Sequence, residues 1–492
     1  MINSTSLDEN IWFPTNKCLI NNEWETPSTE QYLKLLNPSD GDLLAFIARG
    51  AREDVNRAIK SAENSLENEW GNYSAADRGR ILTKMSNLVK DKIEKLAVLE
   101  SLDVGKPLKQ ARTDAIALSK YLEFYGGATN KIHGNTIPFE NNFTVFSLRE
   151  KYGITAHIIP WNYPMQIIGR SISASLAMGN SCILKPAEEA CLTALAFGQI
   201  ALEAGLPPGA LSIIPGYGEE VGSVLTHHPG VNHISFTGSL ETGVQVQKAA
   251  AENVVPTTLE LGGKSPQIVF DDCDLESAVP YLVNAGIQNA GQTCSASSRI
   301  LVQEPLLDKV ISLMSKAYST LKVGPALEDL DLGPLISKRQ LDFVNYSISQ
   351  GEPLPVVAEG TLTANAPRTG HFFKPKLLFK EDTKHFLCQE EIFGPIQIII
   401  PFKNEKEAIR LANETGYGLV ASVWTENGGR QMRMARAIKA GQIFINNYGA
   451  GGGIELPFGG TGKSGHGREK GFESLYGFSQ VKTVAVFHGK DN

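Results

Sequence analysis

After an extended N-terminal stretch, apolar residues recur at helical spacing over Asp54–Leu66 and Asp77–Leu102, which predicts two amphipathic helices. A third helix is predicted from about Leu108 to Tyr125. From there, short apolar runs alternate with helical patterns. Strands are expected at Ile154–Ile159, Ser181–Lys185, Leu211–Ile214 and His233–Thr237. Strand–helix–strand alternation of this kind specifies a parallel, doubly wound sheet. A second alternating block places strands at Gln267–Phe270, Arg299–Val302, Ile396–Phe402, Val420–Trp424 and Gln442–Asn446. Its helices are expected at Asp274–Asn289, Pro305–Leu321, Glu405–Thr415 and Arg430–Ala437.

Two α/β units in series imply a cofactor domain and a catalytic domain, with ligands bound in the cleft between them. The boundaries read as 1–135 with 153–259 for the first and 260–445 for the second. Phe143–Lys151 and Thr483–Phe487 are strand-like but lie outside both units, so 136–152 and 475–492 are expected to form a small β element. Exposed edges of that kind pair with something. Assembly into a homodimer or homotetramer is the resulting expectation. No internal repeat or low-complexity segment interrupts the pattern.

Composition narrows the function classes. At 492 residues the chain is too long for one core. Hydrophobic residues at 42% and charged residues at 20% are ordinary for a globular enzyme. A net charge of −7 argues against a nucleic-acid or anionic-membrane partner, since either wants a basic face. No apolar run approaches bilayer length, and the first twenty residues, which include Asp8 and Glu9, lack a signal-peptide pattern. A cytoplasmic location follows as the expectation. Cys18, Cys182, Cys191, Cys273, Cys294 and Cys388 show no C-x-x-C spacing, which suits reduced thiols. The nine histidines show no metal spacing either, and no metal is expected.

The G-x-G-x-x-G fingerprint is absent, and Gly216-Tyr217-Gly218 with Gly222 is one residue too long. Phe236-Thr237-Gly238-Ser239 with Gly243 is a better anion site: a strand ends, glycine permits close approach, and Ser239 opens a helix whose dipole suits a pyrophosphate. A plain serine N-cap is the alternative. Lys185-Pro186-Ala187-Glu188 follows another strand, where open α/β sheets bind ligands. A carboxylate there accepts ribose hydroxyls and repels a 2′-phosphate, so Glu188 favours NAD over NADP.

Three further segments carry the chemistry. Pro160-Trp161-Asn162-Tyr163-Pro164 leads from a strand into a helix, Glu260-Leu261-Gly262-Gly263-Lys264-Ser265-Pro266 sets a carboxylate beside two glycines, and Gly291-Gln292-Thr293-Cys294 sets a thiol after a glycine. In this order, with Glu260 and Cys294 34 positions apart, they resemble the aldehyde dehydrogenase superfamily. Glu391-Ile392-Phe393-Gly394-Pro395, Pro457-Phe458-Gly459-Gly460, Lys463-Ser464-Gly465 and Gly467-Arg468-Glu469 extend the resemblance over nearly the whole chain. It implies a Rossmann-like NAD-binding domain, an α/β catalytic domain and a small β oligomerisation element.

Oxidising an aldehyde by hydride transfer needs a nucleophile to make a tetrahedral alkoxide, and a thiolate both adds and leaves readily. That role is assigned to Cys294. By resemblance the Asn162 amide and the Cys294 N–H hold the alkoxide, and Glu260 activates the water that hydrolyses the thioester. The resemblance also implies that Glu391 holds the nicotinamide ribose and that Phe393 packs near the ring. Trp161, Lys185, Glu188 and Ser239 hold adenosine and pyrophosphate, with Ile159, Gly218, Gly238 and Leu261 in the same site.

For the substrate, Tyr163, Ile167 and Arg170 share one helix face, and Phe458 is expected beside them. Arg170 resembles the arginine with which succinate-semialdehyde dehydrogenases grip a distal carboxylate, a match to its guanidinium fork. A short carboxylated aldehyde such as succinic or malic semialdehyde is therefore the expectation, against a structural ion pair for Arg170. Gln288 stands where those enzymes have a second arginine. Ser171 stands where the family commonly has a lysine, which puts a proton relay to Glu469 in doubt. The small residues Gly449-Ala450-Gly451-Gly452-Gly453 leave room for a larger aromatic or amino aldehyde. Three rival readings are an acyl-CoA-releasing relative, a non-catalytic protein of the same fold and a dehydrogenase of alcohols.

Overall fold

The computed structural model describes residues 6–449 and 453–489. Among them, an eight-stranded sheet runs in the order Glu23–Glu25, Cys18–Ile20, Leu211–Ile213, Ser181–Lys185, Ile154–Ile158, His233–Thr237, Thr257–Glu260 and Gly465–His466. Its five inner strands are parallel and its edges antiparallel. The strands Ile154–Ile158, Ser181–Lys185 and His233–Thr237 are buried along their whole length, as helices packed on both sides of a parallel sheet demand. Helices such as Leu192–Ala204 and Leu240–Glu252 supply those layers.

A seven-stranded sheet is ordered Val356–Glu359, Lys376–Phe379, Ile396–Phe402, Arg299–Gln303, Pro266–Val269, Val420–Trp424 and Gln442–Ile445, parallel except at its first edge. Each large sheet has its own apolar core. Chain order and sheet membership part at one place. Gly465–His466 returns from beyond the second sheet to pair with the strand that ends in Glu260, setting Gly465 opposite Glu260 and His466 opposite Leu259.

The outlying strand segments pair with each other. Ser479–Phe487 runs antiparallel to Phe143–Lys151, which also pairs Thr136–Ile137. Val481, Val486, Phe487, Leu148 and Ile137 remain exposed on this small sheet. No helix among the described residues is long and apolar enough to cross a membrane.

Three expected helices change shape. Asp77–Leu102 is two helices, Ala75–Asp91 and Ile93–Val104, broken at Lys92 with φ −116° and ψ 13°. The break lets Lys92 pair with Glu203 at 3.0 Å, while the apolar positions on both sides keep helical spacing. The helix after Asn162 runs as Pro164–Ile167, a π-turn over Ile168–Ile172 and Ser173–Ala177. Such π-turns inside helices cluster at functional sites. The helix expected over Asp274–Asn289 is Leu275–Ile287 and stops two residues early.

Candidate active site

That early stop builds the floor of a cavity of about 980 Å³. Asn289, Ala290 and Gly291 follow one another at φ 46°, 53° and 74°, a left-handed run that costs L-residues energy. Polar contacts hold it in place. The Asn289 amide donates to Asn162 O at 3.0 Å, and Gln292 Nε2 donates to Asn289 O at 2.9 Å. Gln292 Oε1 accepts from Ile336 N at 2.9 Å. At Gly291 a Cβ would lie 2.3 Å from the Gly394 backbone, so the 391–395 block presses directly on this loop. The buckle presents Cys294 to the cavity, half-buried.

Asn162, Glu260, Tyr163, Arg170, Trp161, Gly238, Ser239, Glu391, Phe393 and Phe458 all line the same cavity. Asn162 is buried, and its Nδ2 donates to Gln292 O at 3.0 Å, two residues before the thiol. One N–H of that amide therefore fixes the side chain, which lines the same cavity as Cys294. Glu260 is 2% exposed, and neither carboxyl oxygen has a hydrogen-bond partner among the described residues. Burial pushes its pKa well above the usual carboxylate range, with Arg170 pulling it back. Burial likewise pushes the Cys294 thiol up to about 11, Arg170 opposing and Glu260 reinforcing the shift. At neutral pH the Cys294 thiol is thus protonated in the resting site.

Glu391 is anchored differently. Its Oε1 accepts from Gly263 N at 2.9 Å, and a Cβ on Gly262 would sit 2.0 Å from Oε2. Burial raises its pKa to about 7 against that N–H and Lys264. Phe393 has φ 55°, is held by Gln340 donating to its carbonyl at 2.9 Å, and meets Trp161 edge-on at 5.4 Å. Ser239 is the N-cap of Leu240–Glu252: its oxygen accepts from Thr242 N at 3.2 Å, and the helix start lies at the cavity wall.

Five expected cofactor residues do not line the cavity: Ile159, Lys185, Glu188, Gly218 and Leu261. The first three adjoin one another at the ends of parallel strands, with Ile159 N donating to Lys185 O at 3.1 Å and Lys185 paired to Glu188 at 3.0 Å. Leu261 packs under the helix that Ser239 opens, where a Cβ on Gly243 would meet it at 2.5 Å. Gly218 begins a separate π-turn, Gly218–Gly222, after the strand Leu211–Ile213.

Arg170 is 6% exposed and forms an ion pair with Glu469. Its guanidinium lies 4.9 Å over the Phe458 ring, and Ser235 Oγ donates to the other Glu469 oxygen at 3.1 Å. The expected alternative of an ion-paired arginine is thus realised, although Arg170 still faces the cavity. Ser171 bonds back to Ile167 O at 2.8 Å within its own helix. Of the loop at 449–453, residues 450–452 lie outside the described residues.

Sequence reasoning missed Lys470, Tyr448 and Gln292. Tyr448 and Lys470 line the cavity, and the Tyr448 hydroxyl donates to Ser295 O. The signal for Lys470 lay next to the Gly467-Arg468-Glu469 block. Among the described residues, no group of three or more His, Cys, Asp or Glu is placed to hold a metal ion.

Comparison with known proteins fits this geometry. A model of the aldehyde dehydrogenase family matches residues 24–484. The chain is 39% identical over 476 residues to aldehyde dehydrogenase family 2 member B4, mitochondrial, of Arabidopsis thaliana, covering 95% of this chain and 87% of the relative. It is 36% identical to a hydroxyisobutyraldehyde dehydrogenase of Mycolicibacterium austroafricanum, covering 95% and 93%. The NAD+ complex of a Bacillus cereus aldehyde dehydrogenase superposes with a TM-score of 0.93 at 35% identity, covering 96% and 97%.

Proposed function

The chain belongs to the aldehyde dehydrogenase family, and from that premise we propose that it oxidises an aldehyde to the carboxylic acid with NAD. The observation that carries this reading is the convergence, in one cavity, of Cys294, the Asn162 amide and a buried Glu260 with no hydrogen-bond partner among the described residues. A buried carboxyl left unsatisfied is costly, and a water in the cavity is what it would bind.

The residues present fit NAD. The helix start at Ser239 suits a pyrophosphate. Glu188, beside the strand end at Lys185, suits ribose hydroxyls and disfavours a 2′-phosphate. Glu391 and Phe393 would hold the nicotinamide half, Glu391 fixed by Gly263 N–H. When bound, NAD supplies the hydride acceptor.

Cys294 gives up its thiol proton to water in the cavity, and its sulfur adds to the aldehyde carbon. The second Asn162 N–H and the Cys294 backbone N–H meet the alkoxide oxygen. Loss of hydride from that carbon leaves a thioester on Cys294. Glu260 takes a proton from water, whose oxygen attacks the thioester carbon, and the acid departs as the Cys294–carbon bond breaks. The presence of Glu260 favours hydrolysis over transfer to CoA. The test is product analysis with and without CoA: one free acid per NADH in both cases is expected, and CoA-dependent thioester formation would overturn it.

We assign as substrate a short aldehyde with a distal carboxylate, such as succinic or malic semialdehyde, supported by two cations, Arg170 and Lys470, in the cavity wall. The measurement is kcat/KM for succinic semialdehyde against 4-methylpentanal, a neutral aldehyde of the same shape; equal values refute the assignment. Asp114 and Glu455 in the same lining favour a second reading, an amino aldehyde, and an amino-aldehyde arm in that comparison decides between them. The three-stranded sheet with its exposed apolar side chains supports assembly as a homodimer or homotetramer, which light scattering measures.

A further inference from the structure

Beside the wall that carries Asn162 lies a cluster of charges that the reaction does not use. Lys106 and Glu100 are fully buried and Asp114 is 3% exposed; of the three, only Asp114 reaches the cavity lining. Lys106 stands in the turn Gly105-Lys106-Pro107 between the helices Ile93–Val104 and Leu108–Ala128. Gly105 takes φ 85°, and a Cβ there would lie 2.8 Å from Pro334 and 2.9 Å from Pro38, so the turn is packed from two sides. The ammonium of Lys106 engages three different elements. It donates to Glu100 Oε1 at 2.6 Å and to Asp114, and it sits 3.9 Å above the Tyr163 ring. Asp114 Oδ1 accepts in turn from Gln166 Nε2 at 2.6 Å. The helix start at Pro164 is thus held twice, by the face of Tyr163 and by the amide of Gln166.

The Tyr163 hydroxyl reaches the other way. It lies 3.1 Å from Thr293 Oγ1, and the hydrogen of Thr293 goes to Gln288 O at 3.4 Å, so Tyr163 is the donor. Thr293 immediately precedes Cys294. The helix Leu108–Ala128 grips the same loop a second time: Gln110, one turn before Asp114, accepts from Asn289 N at 2.9 Å. The buckle that begins at Asn289 is therefore fastened near both of its ends to the helix that carries Asp114.

Stability alone does not explain buried charges here, because neutral groups of the same volume fill a core as well or better. What the charges add is direction. Charge-assisted hydrogen bonds and a cation–π contact fix where the ring stands. Resting on the reading of Cys294 as the nucleophile, we propose that Lys106 is a positioning residue for that thiol, acting through the Tyr163 ring and its hydroxyl bond to Thr293. Lys106 never touches substrate. It sets Tyr163, Tyr163 sets Thr293, and the peptide after Thr293 carries both the N–H assigned to the alkoxide and the residue that bears the sulfur.

The test separates geometry from stability. In the full-length protein the three groups are neutralised together as Glu100→Gln/Lys106→Met/Asp114→Asn, which leaves no buried charge unpaired. Tm is expected to hold, while the single-turnover rate of the first NADH per site falls about ten- to a hundredfold, as for a reacting group out of place, with KM for NAD unchanged. The fall is expected equally with succinic semialdehyde and 4-methylpentanal; a fall confined to one of them is a charge effect on the substrate and overturns the proposal. Thr293→Val is expected to slow that turnover severalfold alone and not at all in the neutralised background, since both act on one contact. An unchanged rate in the neutralised variant, or effects that add, overturns the role of Lys106 and leaves Cys294 as the nucleophile. A wild type whose Cys294 alkylates but which forms no NADH with any aldehyde overturns the reading of function and this inference together. Should the neutralised variant fail to fold by circular dichroism, Lys106→Met/Asp114→Asn carries the same comparison.

Discussion

On one side of the cavity, Gly238, Ser239 and Glu260 stand at the ends of parallel strands and at a capped helix start. On the other, Cys294 rides a buckled loop, and Phe458 and Lys470 come from a tightly turned segment far along the chain. The first side is regular secondary structure, strand ends in a parallel ladder and a helix start capped by Ser239. The second is held by side-chain amides, by left-handed residues and by glycines against which other backbone presses. The difference matches the work. A cofactor that is bound and released needs a preformed cradle, whereas a covalent reaction needs its nucleophile held in one strained pose.

The comparison can be broken most severely at Cys294, the proposed nucleophile. Cys294→Ser is expected to lower kcat at least about a thousandfold, while NAD still binds as judged by calorimetry; loss of NAD binding as well would mean that the two sides are not separable. Glu260→Gln comes next. Steady-state turnover is expected to fall about a hundredfold or more, with a first burst of one NADH per site retained, because only thioester hydrolysis needs the base. Removal of an unsatisfied buried carboxyl should leave Tm unchanged or raised. A missing burst would place Glu260 earlier in the cycle.

A gentler probe is pH. A thiol pushed up to about 11 is a thiolate only at high pH, so alkylation of Cys294 by iodoacetamide in the protein without cofactor should speed up about tenfold per pH unit below that value. A plateau near neutrality would show a thiolate already formed. Cys294→Ser separates this signal from Cys273, which is half-buried and raised to about 12. The smallest effect belongs to the regular side. Ser239→Ala removes one cap bond, and a severalfold rise in KM for NAD with little change in kcat is expected from a loss of about 1 kcal/mol; a large fall in kcat would show that Ser239 also reaches the chemistry.

The same division explains what could be read from the chain. Strands such as Ser181–Lys185, His233–Thr237, Ile396–Phe402 and Val420–Trp424 emerge at the predicted residues because continuous apolar runs bounded by turns are a local signal. The grouping of Asn162, Glu260 and Cys294 came from short motifs and was open to inspection. The stop of the helix at Ile287 was not, since Gln288 and Asn289 are compatible with helix and the cause is a set of amides in distant segments. The break at Lys92 escaped for a related reason: Met85, Val89, Leu96 and Leu99 keep helical spacing across it. The partner of Arg170 lies 299 positions away at Glu469, and periodicity carries no information over that distance.

The strand Gly465–His466 gives the site an order of construction. It crosses back to the first sheet and clamps the strand ending in Glu260, with Phe458 and Lys470 on either side of it in the chain. A chain emerging from the ribosome therefore carries both the thiol and the carboxylate long before the segment that walls them in. Pairing across such a separation is slow to form, so the cleft is completed only after synthesis has passed Lys470. Until then the cavity that Cys294 lines lacks the wall that Phe458 and Lys470 supply.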